Sequence, residues 1–130
     1  MKRTFAFFPF SPLRLIRCFP RTHQLGLGAA SIARSPVRLD ALPCERPSAA
    51  VAVSAAKYHS AALLSSGELL TWGYGRGGRL GHGDLAPHSA AADAVLTPRP
   101  VAGPLERRRV TAVSAGKHHT VAIVEPGEVW

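Results

Sequence analysis

Apolar residues between positions 51 and 73 come in short runs cut by turn residues. VAVSA (51–55) is brief and β-branched, which predicts a strand. Ala56-Lys57-Tyr58 turns the chain, and HSAALLS (59–65) predicts a second strand. Ser66-Gly67 reads as a hairpin turn, because glycine supplies the positive φ that tight hairpins need. ELLTWG (68–73) makes a third strand, and residues 73–94 read as a long Gly-rich loop. TPRPVA (97–102) reads as an edge strand, since Pro98 and Pro100 have no amide hydrogen to give a ladder. Gly103 and Pro104 punctuate, and the cycle restarts at Val110. Four short strands per unit, with no helical period between them, predict an all-β fold. The blades of a β-propeller, each a four-stranded antiparallel sheet, fit that pattern.

The pattern repeats in letters as well as in hydropathy. Residues 53–70 (VSAAKYHSAALLSSGELL) and 113–130 (VSAGKHHTVAIVEPGEVW) share eight identities at a spacing of sixty. Upstream, HQLGLG (23–28) parallels GRLGHG (78–83), and Ser35-Pro36-Val37 falls where Thr97-Pro98 precedes Val101. The expected organisation is therefore a leader at 1–23 and repeats at 24–130. Residues 24–50 form the back half of one unit, 51–109 a full unit, and 110–130 the front half of a third. A repeat cannot bury its apolar face alone and needs neighbours.

Charge divides the chain in the same place. The net charge is +8, yet residues 1–39 hold seven basic side chains and no acid. From Asp40 onward nine basic residues face eight acidic ones. Nucleic-acid binding is therefore not expected, because a nucleic-acid face needs its charge clustered on the folded body. All five Phe lie within residues 1–19. The leader is Arg-rich and acid-free, as organelle transit peptides are. Pro9, Pro12 and Pro20 break the amphipathic helix such a peptide uses. Mitochondrial or plastid import and an unstructured leader are both open; cytoplasm or nucleus is favoured. No apolar run reaches the length of about 18 residues that a membrane span needs. Cys18 and Cys44 have neither metal-type spacing nor a disulfide framework around them.

Candidate chemistry dissolves on inspection. His59 and His119 recur once per unit, as a structural residue does and a catalytic one does not. Their rings are expected to hydrogen-bond beside the turn and tie adjacent strands. His118-His119 suggests a metal, but strand alternation sends neighbouring side chains to opposite faces. His82 and His88 lack an acid or Cys at ligand spacing, so no metal is expected. Gly73-x-Gly75-x-x-Gly78 resembles a phosphate-cradling loop, but Gly81 and Gly83 follow at once and no helix opens there. Ser60, His59 and Asp84 have no nucleophile elbow around them. No cofactor and no enzymatic activity are expected.

These residues resemble the regulator of chromosome condensation repeat family. Its signature is a small strand, Gly-x-x-His-Ser/Thr, and a second apolar strand. Val113 to Ile123 fits throughout, with Gly116, His119 and Thr120 at the motif places and Gly127 in the following turn. The first copy carries His59, Ser60 and Gly67 but has Ala56 for glycine, so a different turn geometry is expected there. Trp72-Gly73 and the Gly-x-Leu-Gly-x-Gly-Asp run through Leu80, Gly81 and Gly83 complete the resemblance. It implies a seven-bladed propeller, of which this chain supplies about two blades. An incomplete ring is expected, with the remaining blades in a longer parent chain.

The resemblance implies functions of several kinds, among them exchange of guanine nucleotide on a small GTPase of the Ran type. A UV-B-sensing version of the repeat carries Gly-Trp-Arg-His-Thr, and the Trp and Arg are absent here. The leading expectation is a non-enzymatic module that presents loops to a protein partner. The alternatives are nucleotide exchange, or a fragment with no function of its own. Tyr74, Arg76 and Arg79 are the contact candidates, since Arg and Tyr anchor interfaces. Packing between blades is the competing role for the same three residues.

Overall fold

A computed structural model describes Leu25, Gly26, Gly28, Leu39 and residues 49–83, 94–105 and 107–130. The leader, most of the upstream half-unit including Pro36 and Val37, both cysteines, and Asp84 and His88 lie outside the described residues. Among those described, β1 (Ala50–Ala55), β2 (His59–Leu64), β3 (Leu69–Tyr74) and β4 (Ala94–Pro100) form one antiparallel sheet in sequence order. A second antiparallel sheet holds β5 (Val110–Ala115), β6 (Thr120–Val124) and β7 (Glu128–Val129). The fold is all-β and the two sheets do not close on each other, as expected of part of a propeller. Among the described residues no helix is long and apolar enough to cross a membrane.

The sixty-residue spacing holds in three dimensions. Val53 pairs with Ala62 and Ala55 with Ser60; Val113 pairs with Ala122 and Ala115 with Thr120. Even the irregularity repeats, between Ala50 and Ala52 and again between Val110 and Ala112. The hairpin turns match too: Gly67 N donates to Leu64 O, and Gly127 N to Val124 O. Both turn glycines have positive φ, 90° and 123°.

β2 and β3 are buried on both faces, which is why their sequences run apolar instead of alternating. Ala61, Leu63 and Leu69 face the second sheet and pack with Val101, Val110, Val113, Ala122 and Val124. Ala62, Leu64, Leu70 and Trp72 point the other way and pack around Leu39 of the upstream segment. Trp72 is fully buried, with its indole close against Gly26. Burying each of these leucines is worth about 1.5–3 kcal/mol. On the far side of the second sheet the equivalents of Ala61, Leu63 and Leu69 are Val121, Ile123 and Val129. They remain 36%, 40% and 68% exposed.

Three local expectations are corrected. The loop expected from residue 73 begins later, because β3 continues to Tyr74. Gly73 accordingly lies inside the strand, at an irregularity in its pairing with β4, and not in a turn. The edge strand starts at Ala94, three residues earlier than its proline pattern suggested, and ends at Pro100, two residues earlier. Ala94 and Val95 pair with Tyr74 and Gly73, so partners on β3 extend the strand beyond the sequence that announces it.

Candidate functional site

The end of the sheets that carries the β1–β2 turn, the β5–β6 turn and the Gly-rich segment after β3 gathers most of the polar side chains named above. The two turns are equivalent: Ala56 N donates to His59 O at 2.9 Å, and Gly116 N to His119 O at 2.8 Å. The expected change of geometry at Ala56 is absent. Gly116 has no left-handed φ; a Cβ there would instead meet Nε2 of the His119 ring at 2.5 Å. Glycine at this motif place makes room for a ring. Ala56 is tolerated because the His59 ring lies elsewhere.

That ring reaches the next sheet. His59 is fully buried, and its Nε2 is 2.7 Å from Thr120 Oγ1. Thr120 gives its hydroxyl proton to the Arg79 carbonyl at 2.8 Å, so toward His59 it accepts. His59 is therefore the neutral Nε2–H tautomer. Its Nδ1 has no hydrogen-bond partner among the described residues. A second proton would place an unmatched charged donor in the interior beside Arg79. Desolvation first, then the charges of Arg79 and His119, push the His59 pKa down to about 4. The residue expected to tie strands within a sheet ties one sheet to the next.

The neighbouring carbonyl is held in the same manner from the other side. Thr71 Oγ1 donates to Leu80 O at 2.7 Å and lies 3.1 Å from His82 Nε2, which therefore donates to it. The Arg79-Leu80 segment is thus fixed by a threonine from each sheet. Leu80 is buried, and Gly81 and Gly83 carry the chain away with positive φ.

Arg79, a contact candidate from its sequence, is only 7% exposed. Its Nε donates to Arg76 O at 2.7 Å and its Nη1 to Lys117 O at 3.1 Å. Its guanidinium lies 5.4 Å from the Tyr58 ring centre and 5.3 Å from that of Tyr74. Of the two roles open to it, packing between the sheets describes Arg79. Tyr74 is half-buried against it, and Arg76 is exposed. His118 and His119 sit in the turn ahead of β6, so strand alternation does not apply to them. The His118 ring faces Tyr58 at 6.3 Å. Lys57 Nζ lies 5.1 Å over the same tyrosine.

The bridge from Thr120 to Arg79 was not foreseen. The Ser/Thr place after the motif histidine was its only trace in the sequence. Among the described residues no three His, Cys, Asp or Glu converge to hold a metal. The space between the sheets, lined in part by Leu69, Thr71, Leu80, Val101 and Trp130, is about 250 Å³. Small-molecule sites run to about 300–1,000 Å³.

Comparison with known proteins fits this architecture. Residues 66–123 match the family model described as the regulator of chromosome condensation (RCC1) repeat. The chain is 36% identical over 107 residues to the human E3 ubiquitin-protein ligase HERC2, covering 82% of this chain and 2% of that protein. It is 42% identical over 74 residues to the mouse inhibitor of Bruton tyrosine kinase, covering 57% of this chain and 5% of that one. It thus spans a few per cent of the length of these curated relatives. Among solved structures, Prp20p from Saccharomyces cerevisiae superposes with a TM-score of 0.67 at 20% identity, over 85% of this chain and 26% of that one. Human WBSCR16 gives 0.60 at 22% identity, over 75% and 22%.

Proposed function

From a chain that belongs to the regulator of chromosome condensation repeat family, we propose a non-enzymatic protein-binding module that presents the Gly-rich segment after β3 to a protein partner. The observation that carries this reading is the anchoring of that segment. The Arg79 and Leu80 carbonyls are held by Thr120 and Thr71, while Arg76 stands exposed just ahead of them. An exposed arginine on a loop fastened to two rigid sheets is a low-entropy contact, because little ordering remains to be paid on binding. Catalysis is not part of the reading. The recurring histidine spends its Nε2–H on Thr120, and its Nδ1 is buried. Support for a protein partner comes from Prp20p, whose structure is described together with its binding to Gsp1p and histones.

A photo-crosslinking residue at position 76, with position 126 at the opposite end as control, tests the proposal. Specific protein adducts are expected from 76 only. Equal adducts from both positions, or none from 76, would refute it. Exchange activity is the second reading, supported by the same neighbour. Accelerated release of labelled GDP from a Ran-type GTPase would favour it; the module reading expects no acceleration.

A further inference from the structure

Arg107, Arg108 and Arg109 run together just ahead of β5, and all three are exposed. Such a run is ordinarily a solvated turn. Here a hydroxyl follows it. Thr111 stands three places after Arg108 and two after Arg109, and no other serine or threonine of the sequence has arginine or lysine at both places. The backbone singles out the same residue. Val110 pairs with Val124 and Ala112 with Ile123, so the irregularity at the start of β5 leaves Thr111 without a partner in that ladder. β5 is also an edge strand, paired in its sheet with β6 alone. Thr111 is exposed, and its hydroxyl donates to the Ile123 carbonyl at 3.2 Å, long for such a donor. The fold does not need that hydroxyl: the equivalent place in the first unit, at the same irregularity, is Val51, 56% exposed. By contrast Ser60 and Thr71 are fully buried, and Thr120 holds the Arg79 carbonyl.

We propose that Thr111 is a phosphorylation site for a serine/threonine kinase with an acidic substrate cleft, which recognises Arg108 and Arg109 ahead of the hydroxyl. Kinases select substrates by such charge patterns. Thr111 Oγ1 attacks the γ-phosphorus of ATP, and the bond from that phosphorus to the β–γ bridging oxygen breaks. ADP leaves, and the hydroxyl proton passes to the catalytic aspartate of the kinase. Both arginines are available to the cleft, because their pairs with Glu128 and Glu125 lie on the surface and are weak. Entry requires the start of β5 to lift. That breaks the bonds from Glu125 N to Arg109 O and from Val110 N to Gly67 O, and it uncovers Val110. Strand ends open locally far more readily than strand centres. Once transferred, the phosphate stays at the surface with a charge of about −2. Arg109 is two residues away, and its contact with Glu125 is long at 3.5 Å, so its guanidinium can turn to the phosphate. The arginine run is then offset, and this end of the sheets attracts different partner charges.

The test incubates the whole chain with magnesium, γ-labelled ATP and the catalytic subunit of cyclic-AMP-dependent protein kinase. The near-ultraviolet circular dichroism of buried Trp72 shows that the chain is folded during labelling. Label should appear, and mass spectrometry should place it on Thr111. Thr111→Val, which installs the side chain of the first unit, should abolish the label, and Thr111→Ser should keep it. Arg108→Gln combined with Arg109→Gln should lower kcat/KM by about tenfold or more, the equivalent of about 1.4 kcal/mol of recognition. All three positions are exposed, so these variants keep the fold. Equal labelling of the valine variant, or an arginine variant labelled as fast as the parent, would overturn the proposal. So would label on a synthetic peptide of residues 105–114 together with none on the folded chain, because the site would then exist only in the unfolded sequence.

Discussion

A methyl group added at Gly73 would sit 2.7 Å from the Tyr58 carbonyl oxygen and 2.8 Å from His59 Cα. Both are backbone atoms, at the end of the β1–β2 turn and the start of β2, and neither can give way. φ at Gly73 is also 106°, a region that side chains avoid. Gly73→Ala should therefore destabilise by about 3 kcal/mol or more, in the range of strained positions. Gly77→Ala is the control: φ is 77° there, but nothing lies within 4 Å of the new methyl. It should cost only the backbone term, about 1–2 kcal/mol. Gly116→Ala should cost less than about 1 kcal/mol, because the exposed His119 ring can rotate away, as the Ala56 copy implies. Urea melts of the three variants give the order. His59 makes a pH prediction at the same scale. Its folded pKa of about 4 lies below its ordinary 6.5, so the unfolded chain takes up more protons between those values. The stabilisation is complete above pH 6.5 and is lost as pH falls toward 4, by up to about 3 kcal/mol. Comparing the pH dependence of unfolding with that of His59→Gln isolates this share. Identical slopes for the two proteins would remove it.

Between strands, the bridge through Thr120 is the contact that a single atom controls. Thr120→Val keeps the shape but leaves the His59 Nε2–H and the Arg79 carbonyl buried without their partner. The expected loss is about 1–3 kcal/mol. Thr120→Ser, which restores the residue type of the first copy, should recover most of it in thermal melts. A valine variant as stable as the parent would mean that the bridge contributes nothing. This contact marks the limit of what the letters reveal. The strands were legible because each was a brief apolar run cut off by turn residues, and Pro98 and Pro100 announced the edge position of the fourth. β4 began earlier than expected because pairing to Tyr74 and Gly73 defines it, and pairing is not written in residues 94–96. Gly73 looked like a loop glycine because nothing local distinguishes a turn from a strand that passes close to another backbone. Arg79 looked like a contact residue because its partners, Tyr58, Tyr74 and the Lys117 carbonyl, are up to 38 positions away.

At the scale of the molecule, the far face of the second sheet exposes Val121, Ile123 and Val129, whose counterparts in the first sheet are covered. Exposed apolar sheet faces and open edges drive association. The 130-residue chain should therefore sediment as concentration-dependent species. Val121→Lys combined with Ile123→Lys should shift it toward monomer. Monomeric behaviour of the parent with one sharp thermal transition would contradict this. The His59–Thr120 bond has a further consequence, one of timing. Its two halves are 61 positions apart, so a histidine emerging from a ribosome has no acceptor until about one more unit has been made. At about 5–20 residues per second, that wait is on the order of 3–12 s. Through that interval the newest unit is always the unfinished one, its ring exposed and its apolar face wet. The latch also runs one way, from an earlier histidine to a later hydroxyl, so synthesis completes each unit only by making its successor. Chaperones that guard nascent chains would meet the same unfinished surface at every step of such an array.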